Sequence, residues 1–265
     1  MKTMKNILVT SGGTKVPVDR VRHLGNMSNG TFGAKIARAL LYEFAGELDN
    51  LTYFHTKRSE TPFGMKIDFA EPNFSMQKAL AEMGRLHDMH EQFRDRYFQS
   101  SFKTFEEYDK GMTRMLESCR WDVILLACAA SDYLVANYVD GKIRSKDALK
   151  IELTPAPKII SRVRAAQPNA VIVGFKLLVD SEDAALVKAA QESAQKNGCD
   201  FVVSNDLRDI EADEHRLLIV DKDGLFEEFK TDHGNPEHLA QMVAALAGVC
   251  TLSGDRSLRD PEDKE

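Results

Sequence analysis

Ile7-Leu8-Val9-Thr10-Ser11-Gly12-Gly13-Thr14, followed after a polar stretch by Asn26-Met27-Ser28-Asn29-Gly30-Thr31-Phe32-Gly33-Ala34-Lys35-Ile36-Ala37, decides the fold. The apolar run 5–10 reads as a buried strand and 31–45 as a helix with Ile36, Ala37, Ala39, Leu40 and Leu41 on its inner side. A strand that enters two glycines and leaves through a glycine-marked helix start is how α/β proteins bring backbone N–H groups to a phosphate. The connection is longer than the about two to six residues usual for such a turn, and loops of that length in compact domains are functional or disordered. This one ends in Asn, Ser and Gly at a helix start, and it reads as a site.

Working outward, 50–56 reads as a second strand and 65–69 as a further short one. From Ser75 to about Leu116 apolar residues recur every three or four positions, which predicts two amphipathic helices with a break near Ser100-Ser101. They read either as a crossover helix followed by a surface helix, or as a helical hairpin for dimer packing or a lid. Residues 121–129 are continuously apolar after Asp122, the texture of a central parallel strand buried on both faces. A polar stretch over 134–150, a proline-interrupted Thr154-Pro155-Ala156-Pro157-Lys158 and a helix over 158–165 follow. Further strands at 170–175 and 200–206 flank a helix over 181–197 that Gly198 closes. Residues 216–221 and 225–229, joined by Asp-Lys-Asp-Gly, predict an antiparallel hairpin. A last helix is expected over 236–248.

Strands alternating with helices predict an α/β, Rossmann-like, doubly wound and mostly parallel sheet with helices on both faces, plus the C-terminal hairpin and a helical insertion at about 75–118. One domain over 1–250 and a mobile tail over 251–265 are expected. In such sheets ligands bind at the carboxyl ends of the strands. Four strand ends carry polar groups: Ser11-Gly12-Gly13-Thr14, Ala130-Ser131-Asp132, Phe175-Lys176 and Asn205-Asp206.

Composition sets bounds. The chain has 265 residues, 43% hydrophobic and 29% charged, with a net charge of −6 that argues against non-specific nucleic-acid binding. No stretch approaches the roughly 20 apolar residues of a membrane span, and the N-terminus is too polar for a signal peptide. Cys119, Cys128, Cys199 and Cys250 lie far apart and predict reduced thiols in a cytoplasmic protein.

The residues that bear chemistry leave alternatives. Gly12 and Gly13 with Ser28, Gly30 and Gly33 form a phosphate cradle or an ordinary turn and cap. The Asn26 amide can donate to a developing oxyanion while its carbonyl orients a partner, or it is a turn asparagine. Asp132 suits a ribose or nucleobase, a water-held metal, or a helix cap. Lys142 and Arg144 alternate about Ile143 and suit a triphosphate or a solvated loop. Lys176, directly after a buried strand, needs a partner or an anionic ligand. His87 and His90 have helical metal-ligand spacing without a third ligand, and read as solvated or packing residues. Cys128, in mid-strand, is a poor nucleophile.

Taken in order, these pieces resemble a known family, the phosphopantothenoylcysteine synthetases (phosphopantothenate–cysteine ligases) of coenzyme A synthesis. The resemblance rests on Val9-Thr10-Ser11-Gly12-Gly13-Thr14 with Pro17 and Asp19-Arg20-Val21-Arg22, Asn26-Met27-Ser28-Asn29-Gly30 with Gly33, and Ala129-Ala130-Ser131-Asp132-Tyr133. It continues through Lys142-Ile143, Thr154 to Ile160, Val173-Gly174-Phe175-Lys176-Leu177 and Val203-Ser204-Asn205-Asp206. Asn29 departs from the family pattern, which has a second serine there.

The resemblance implies joining the carboxylate of 4′-phosphopantothenate to the amine of L-cysteine through an acyl-nucleotidylate, with CTP favoured over ATP and Mg²⁺ on the phosphates. It implies that Asn26 holds the intermediate and that Lys142 lies on a flap over the triphosphate. Gly12, Gly13, Ser28 and Gly30 would cradle phosphates. Ala129, Asp132, Pro157, Lys158, Ile159, Ile160 and Phe175 would frame the nucleotide, joined by Lys196. It also implies a homodimer and the stand-alone bacterial type.

Two rivals stand beside it. An NAD(P)-dependent oxidoreductase predicts an acidic residue closing the second strand, where this chain has His55-Thr56-Lys57-Arg58, suited only to a 2′-phosphate. A non-catalytic nucleotide-binding module would leave Asn26 and Lys142 structural.

Overall fold

The apolar runs form an eight-stranded sheet in the computed structural model, which describes residues 5–145, 148–211 and 216–229. The helix expected over 236–248, the tail 251–265 and Cys250 lie outside the described residues. In chain order the elements are β1 (Lys5–Ser11), β2 (Lys15–Pro17), β3 (His23–Gly25), α1 (Thr31–Glu43), β4 (Leu48–Thr56), α2 (Met76–Phe93), β5 (Tyr97–Phe102), α3 (Phe105–Ser118) and β6 (Val123–Leu126). There follow β7 (Tyr133–Val135), β8 (Leu153–Pro155), α4 (Ile160–Ala166), β9 (Val171–Leu178), α5 (Asp183–Asn197), β10 (Phe201–Asp206), α6 (Leu207–Glu211), β11 (Leu217–Asp221) and β12 (Gly224–Phe229).

The sheet order is β12-β11-β10-β9-β6-β1-β4-β5. Every pairing from β10 to β5 is parallel, and the hairpin β11–β12 adds to β10 antiparallel. The chain runs from β1 outward through β4 to β5, then returns to the other side of β1 for β6 and β9. The order therefore reverses between β1 and β6, and such a switch point opens a crevice beyond the strand ends.

Period-two alternation explains why the strands read as unbroken apolar runs. Ile7, Val9, Val123, Leu125, Val171 and Val173 face a core under α1 and the end of α2. Leu8, Ile124, Leu126 and Ile172 face a second core under α3, α4 and α5. Both faces of the sheet are covered, so each strand position is apolar. Full burial of one such side chain is worth about 1.5–3 kcal/mol.

Two expectations change. The helices expected between 75 and 116 are present as α2 and α3, but a strand, β5, stands where only a break is expected. It pairs in parallel with β4. Only Tyr97 and Phe102, at its two ends, are buried. An edge strand with an exposed middle has no alternation to read, and its terminal aromatics mimic helical spacing. The stretch is thus a helix–strand–helix crossover that widens the sheet. Residues 65–69, expected as a short strand, lie in an irregular segment. The short pairs β2–β3 and β7–β8, hidden in polar sequence, form two small antiparallel sheets at the strand ends.

Candidate functional site

The glycine loop is folded against the end of β1 by contacts that exclude side chains. Gly30, the residue before α1, has a left-handed backbone (φ 82°). Its carbonyl accepts a hydrogen bond from Ser11 Oγ at 3.1 Å. A Cβ on Gly33 would lie 2.3 Å from the same Ser11 Oγ, so only glycine lets the first turn of α1 sit this close to β1. No side chain of residue 30 caps the helix, and Asn29 Oδ1 accepts from Thr31 N at 3.1 Å. An amide-rich helix start at a strand end attracts anions.

Asn26 bridges the switch point. Its Nδ2 donates to the carbonyl of Ala129 at 2.9 Å. Around it the backbone knits β1 to the segment after β6: Ala129 N donates to Gly12 O at 2.7 Å and Thr14 N to Ala129 O at 3.2 Å. Ser131 N donates to Thr14 Oγ1 at 2.8 Å. A carbonyl partner fixes which end of the amide faces Ala129, because only the –NH2 end donates. The same Nδ2 also donates to the carbonyl of Ala130 at 3.5 Å, so the Oδ1 of Asn26, an exposed residue, is the end of the amide that remains for a ligand.

Asp132 and Lys158, both expected around a nucleotide, form an ion pair. The Asp132 carbonyl accepts from Ala156 N at 2.8 Å, and β7 and β8 run on from this contact. Asp132 precedes a strand, so it is not a helix cap. Both side chains are more than half exposed, and such a pair contributes at most about 1 kcal/mol. Phe175 packs edge-on against Phe32 at 5.8 Å between ring centroids, which brings the end of β9 to the start of α1. Pro157 is exposed. The side chain of Ile159 is buried in the core under α4, and Ile160 packs against the same core.

Lys142 is held through its neighbours. Ile143 N donates to Asp19 Oδ2 at 3.1 Å, and Gly141 O accepts from Arg20 N at 2.9 Å. Arg20 Nε bonds Asp140 at 2.6 Å. Burial opposes the charge on Asp19, but the backbone N–H groups of Arg22, Ile143 and Val21 and the Arg22 guanidinium outweigh it and hold its carboxyl at about 2. Asp19 thus clamps the lysine segment to the β2–β3 turn. Asp19 enters the sequence reading only within a motif; its signal is a lone carboxylate two residues past a proline, beside Arg20 and Arg22.

Two expected site groups are not brought here. Lys196 stands in the last turn of α5, which runs back from the end of β9 to the start of β10, so it lies at the opposite edge of the sheet. The Asp206 carboxylate accepts from Asp180 N, Ser181 N and Arg208 N at 2.8–3.1 Å, which closes the turns beside β10. The Ser181 backbone N–H holds its pKa low. Cys128 is no nucleophile, since burial pushes its thiol far up. His87 and His90 do not converge with other ligands; His90 meets the Phe63 ring at 5.2 Å. No group of three potential metal ligands occurs among the described residues.

A cleft of about 360 Å³ opens beside the loop, between Gly13, Asn26 and Ser28 on one side and Thr56, Arg58 and Ser59 on the other. A larger hollow of about 610 Å³ lies at the edge strand, between β5 and α3, and includes none of the expected site residues.

The sequence profile of the DNA/pantothenate metabolism flavoprotein C-terminal domain matches residues 2–52 and 102–247, most of the chain. The chain belongs to this family. The coenzyme A biosynthesis bifunctional protein CoaBC of Thermococcus kodakarensis is 32% identical over 83% of this chain and 45% of its own length. The phosphopantothenate–cysteine ligase of Homo sapiens is 28% identical over 82% of this chain and 76% of its own. The crystal structure of the DNA/pantothenate metabolism flavoprotein from Streptococcus pneumoniae superposes with a TM-score of 0.70 at 26% identity, covering 93% of this chain and 99% of that one. The chain spans about half the length of the bifunctional relatives it matches. The DNA/pantothenate metabolism flavoprotein C-terminal domain thus accounts for the sheet and the switch point, while its profile omits 53–101, the stretch that holds α2 and most of β5.

Proposed function

We propose that this chain is a phosphopantothenate–cysteine ligase. It joins 4′-phosphopantothenate to L-cysteine at the expense of a nucleoside triphosphate, with CTP the favoured nucleotide and ATP the second. The single observation that carries this is Asn26 anchored to Ala129 at the switch point, beside a glycine loop and an amide-rich helix start.

A carboxylate is a poor acyl donor. Attack of its oxygen on the α-phosphorus releases pyrophosphate and leaves an acyl-nucleotidylate. The cysteine amine then attacks the acyl carbon, the nucleoside monophosphate departs, and the amine loses a proton. Gly12, Gly13, Ser28, Gly30 and the first turn of α1 offer backbone and hydroxyl donors to the phosphates. Asn26 turns the N–H that rests 3.5 Å from the Ala130 carbonyl onto the developing oxyanion and uses its Oδ1 on the incoming amine. Lys142 neutralises phosphate charge from the segment that Asp19 holds. Ala129, Asp132, Pro157, Lys158 and Phe175 frame the nucleotide, with the Asp132–Lys158 pair opening to admit it. The described residues offer no protein cage for Mg²⁺; in this reading the ion is carried by the phosphates, and no step is drawn through it.

The relatives' names support the reaction. The proposed assembly is a homodimer. No described helix is long and apolar enough to cross a membrane, and the three described cysteines are free thiols, which fits the proposed cytoplasmic location. The test is pyrophosphate release with phosphopantothenate, cysteine and either CTP or ATP. Release that needs phosphopantothenate, with amide formation that needs cysteine, supports the ligase; no turnover with either nucleotide leaves a binding module.

A further inference from the structure

We infer that Lys57 and Arg58, with Lys15 and His23, form a phosphate-ester subsite on the β4 side of the glycine loop. The ligase reading bears only on which phosphate ester fills it. The four residues line the 360 Å³ cleft that also borders Gly13 and Asn26. They come from three separate places: Lys15 in β2, His23 in β3, and Lys57 and Arg58 in the turn that leaves β4.

No Asp or Glu among the described residues lines this cleft. Among the described residues Lys15, Lys57 and Arg58 take part in no ion pair, whereas fourteen Lys or Arg contacts with carboxylates are formed elsewhere among them. The adjacent carboxylate, Glu60, is joined to Lys66 at 2.6 Å. Three uncompensated cations converging in a chain of net charge −6 make a local anion well.

The backbone is shaped to present them. Arg58 has φ 76°, a left-handed conformation that glycine adopts without steric cost and arginine does not. Ser59 N donates to Thr56 O at 2.9 Å and Lys57 N to Phe102 O at 2.6 Å, which fixes the turn against β5. Arginine at such a position is a reason to look for what its side chain does. Arg and Lys together suit phosphate oxygens, one through a planar fork and the other as a point charge. The cleft volume is in the small-molecule range. The turn and most of β5 lie in the stretch 53–101 that the family profile omits.

Two sources carry the same chemistry: the polyphosphate of the nucleotide and the phosphomonoester of the acyl substrate. The test is the Lys57→Gln/Arg58→Gln double variant, with steady-state pyrophosphate release measured against each substrate in turn. The expected result is a KM raised about tenfold or more for one phosphate-bearing substrate, the other within about twofold, and kcat changed less than KM. The KM that moves names the occupant. Both KM values within about twofold of wild type would overturn the subsite. If the double variant fails to fold, Lys15→Gln takes its place under the same criterion. Calorimetric titration with inorganic pyrophosphate separates this inference from the ligase reading. Binding by the wild type that weakens about tenfold in the variant supports the subsite even if no ligation occurs, and absent or unweakened binding overturns it.

Discussion

The side-chain amide of Asn26 donates to the main-chain carbonyl of Ala129 at 2.9 Å, and so ties the glycine loop after β1 to the segment after β6. The bond joins the two strands between which the sheet order reverses. It fixes the orientation of the amide before any ligand arrives, which is what a donor to a developing charge requires.

Asn26→Ala is expected to let activation proceed and to slow amide formation by about 10²-fold, the cost of losing one preorganised donor. Acyl-nucleotidylate should accumulate, detectable by mass spectrometry of acid-quenched reactions. Wild-type turnover in the variant would remove Asn26 from the chemistry.

Asp19 should show itself in acid. Its folded pKa of about 2 lies below the ordinary 3.8, so the unfolded chain binds the proton first. The stability it contributes is complete above about pH 4 and is lost as pH falls toward 2. Asp19→Asn should flatten that part of the melting-temperature profile and raise the nucleotide KM by loosening the segment around Lys142. An unchanged acid limb would show that the clamp does not hold.

His55 carries a second pH dependence of the same sign. It stacks on Tyr53 at 5.1 Å, and its Nε2 lies 2.9 Å from Gln99 Nε2, a donor, so Nδ1 bears the proton beside Thr56 O and Ser59 Oγ. Burial lowers its pKa below 6.5. Stability from the neutral ring is present above about pH 6.5 and declines as pH falls through the lowered folded pKa. NMR titration of the imidazole should give a midpoint below 6.5; a midpoint above it would contradict the neutral, donor-facing ring.

Lys196→Gln should leave both nucleotide KM and kcat within about twofold of wild type, because α5 carries the lysine to the edge of the sheet away from the strand ends, and exposed charges beyond about 10 Å are screened. A tenfold rise in nucleotide KM would show that the residue reaches a site after all.

Much of this molecule is legible in its residues. Continuous apolar runs at 121–129 and 170–175 identify strands buried on both faces. Gly198 closes α5 with φ 66°, and the Asp-Lys-Asp-Gly turn joins β11 to β12. The edge strand β5 escapes because its exposed middle carries no periodicity. The β2–β3 and β7–β8 pairs escape because three-residue strands stand on tertiary contacts, not on local propensity.

Local order, then, is written along the chain: which segments are strands and helices, and that Asn26 follows a glycine loop. A period and a turn residue act over a few positions, so they can be read there. The sheet order, the Asn26–Ala129 bond across 103 residues, the Asp19 clamp on Lys142 and the exile of Lys196 to the far edge were decided only when the chain packed. Long-range contacts depend on how buried faces stack, and no neighbouring residue encodes that.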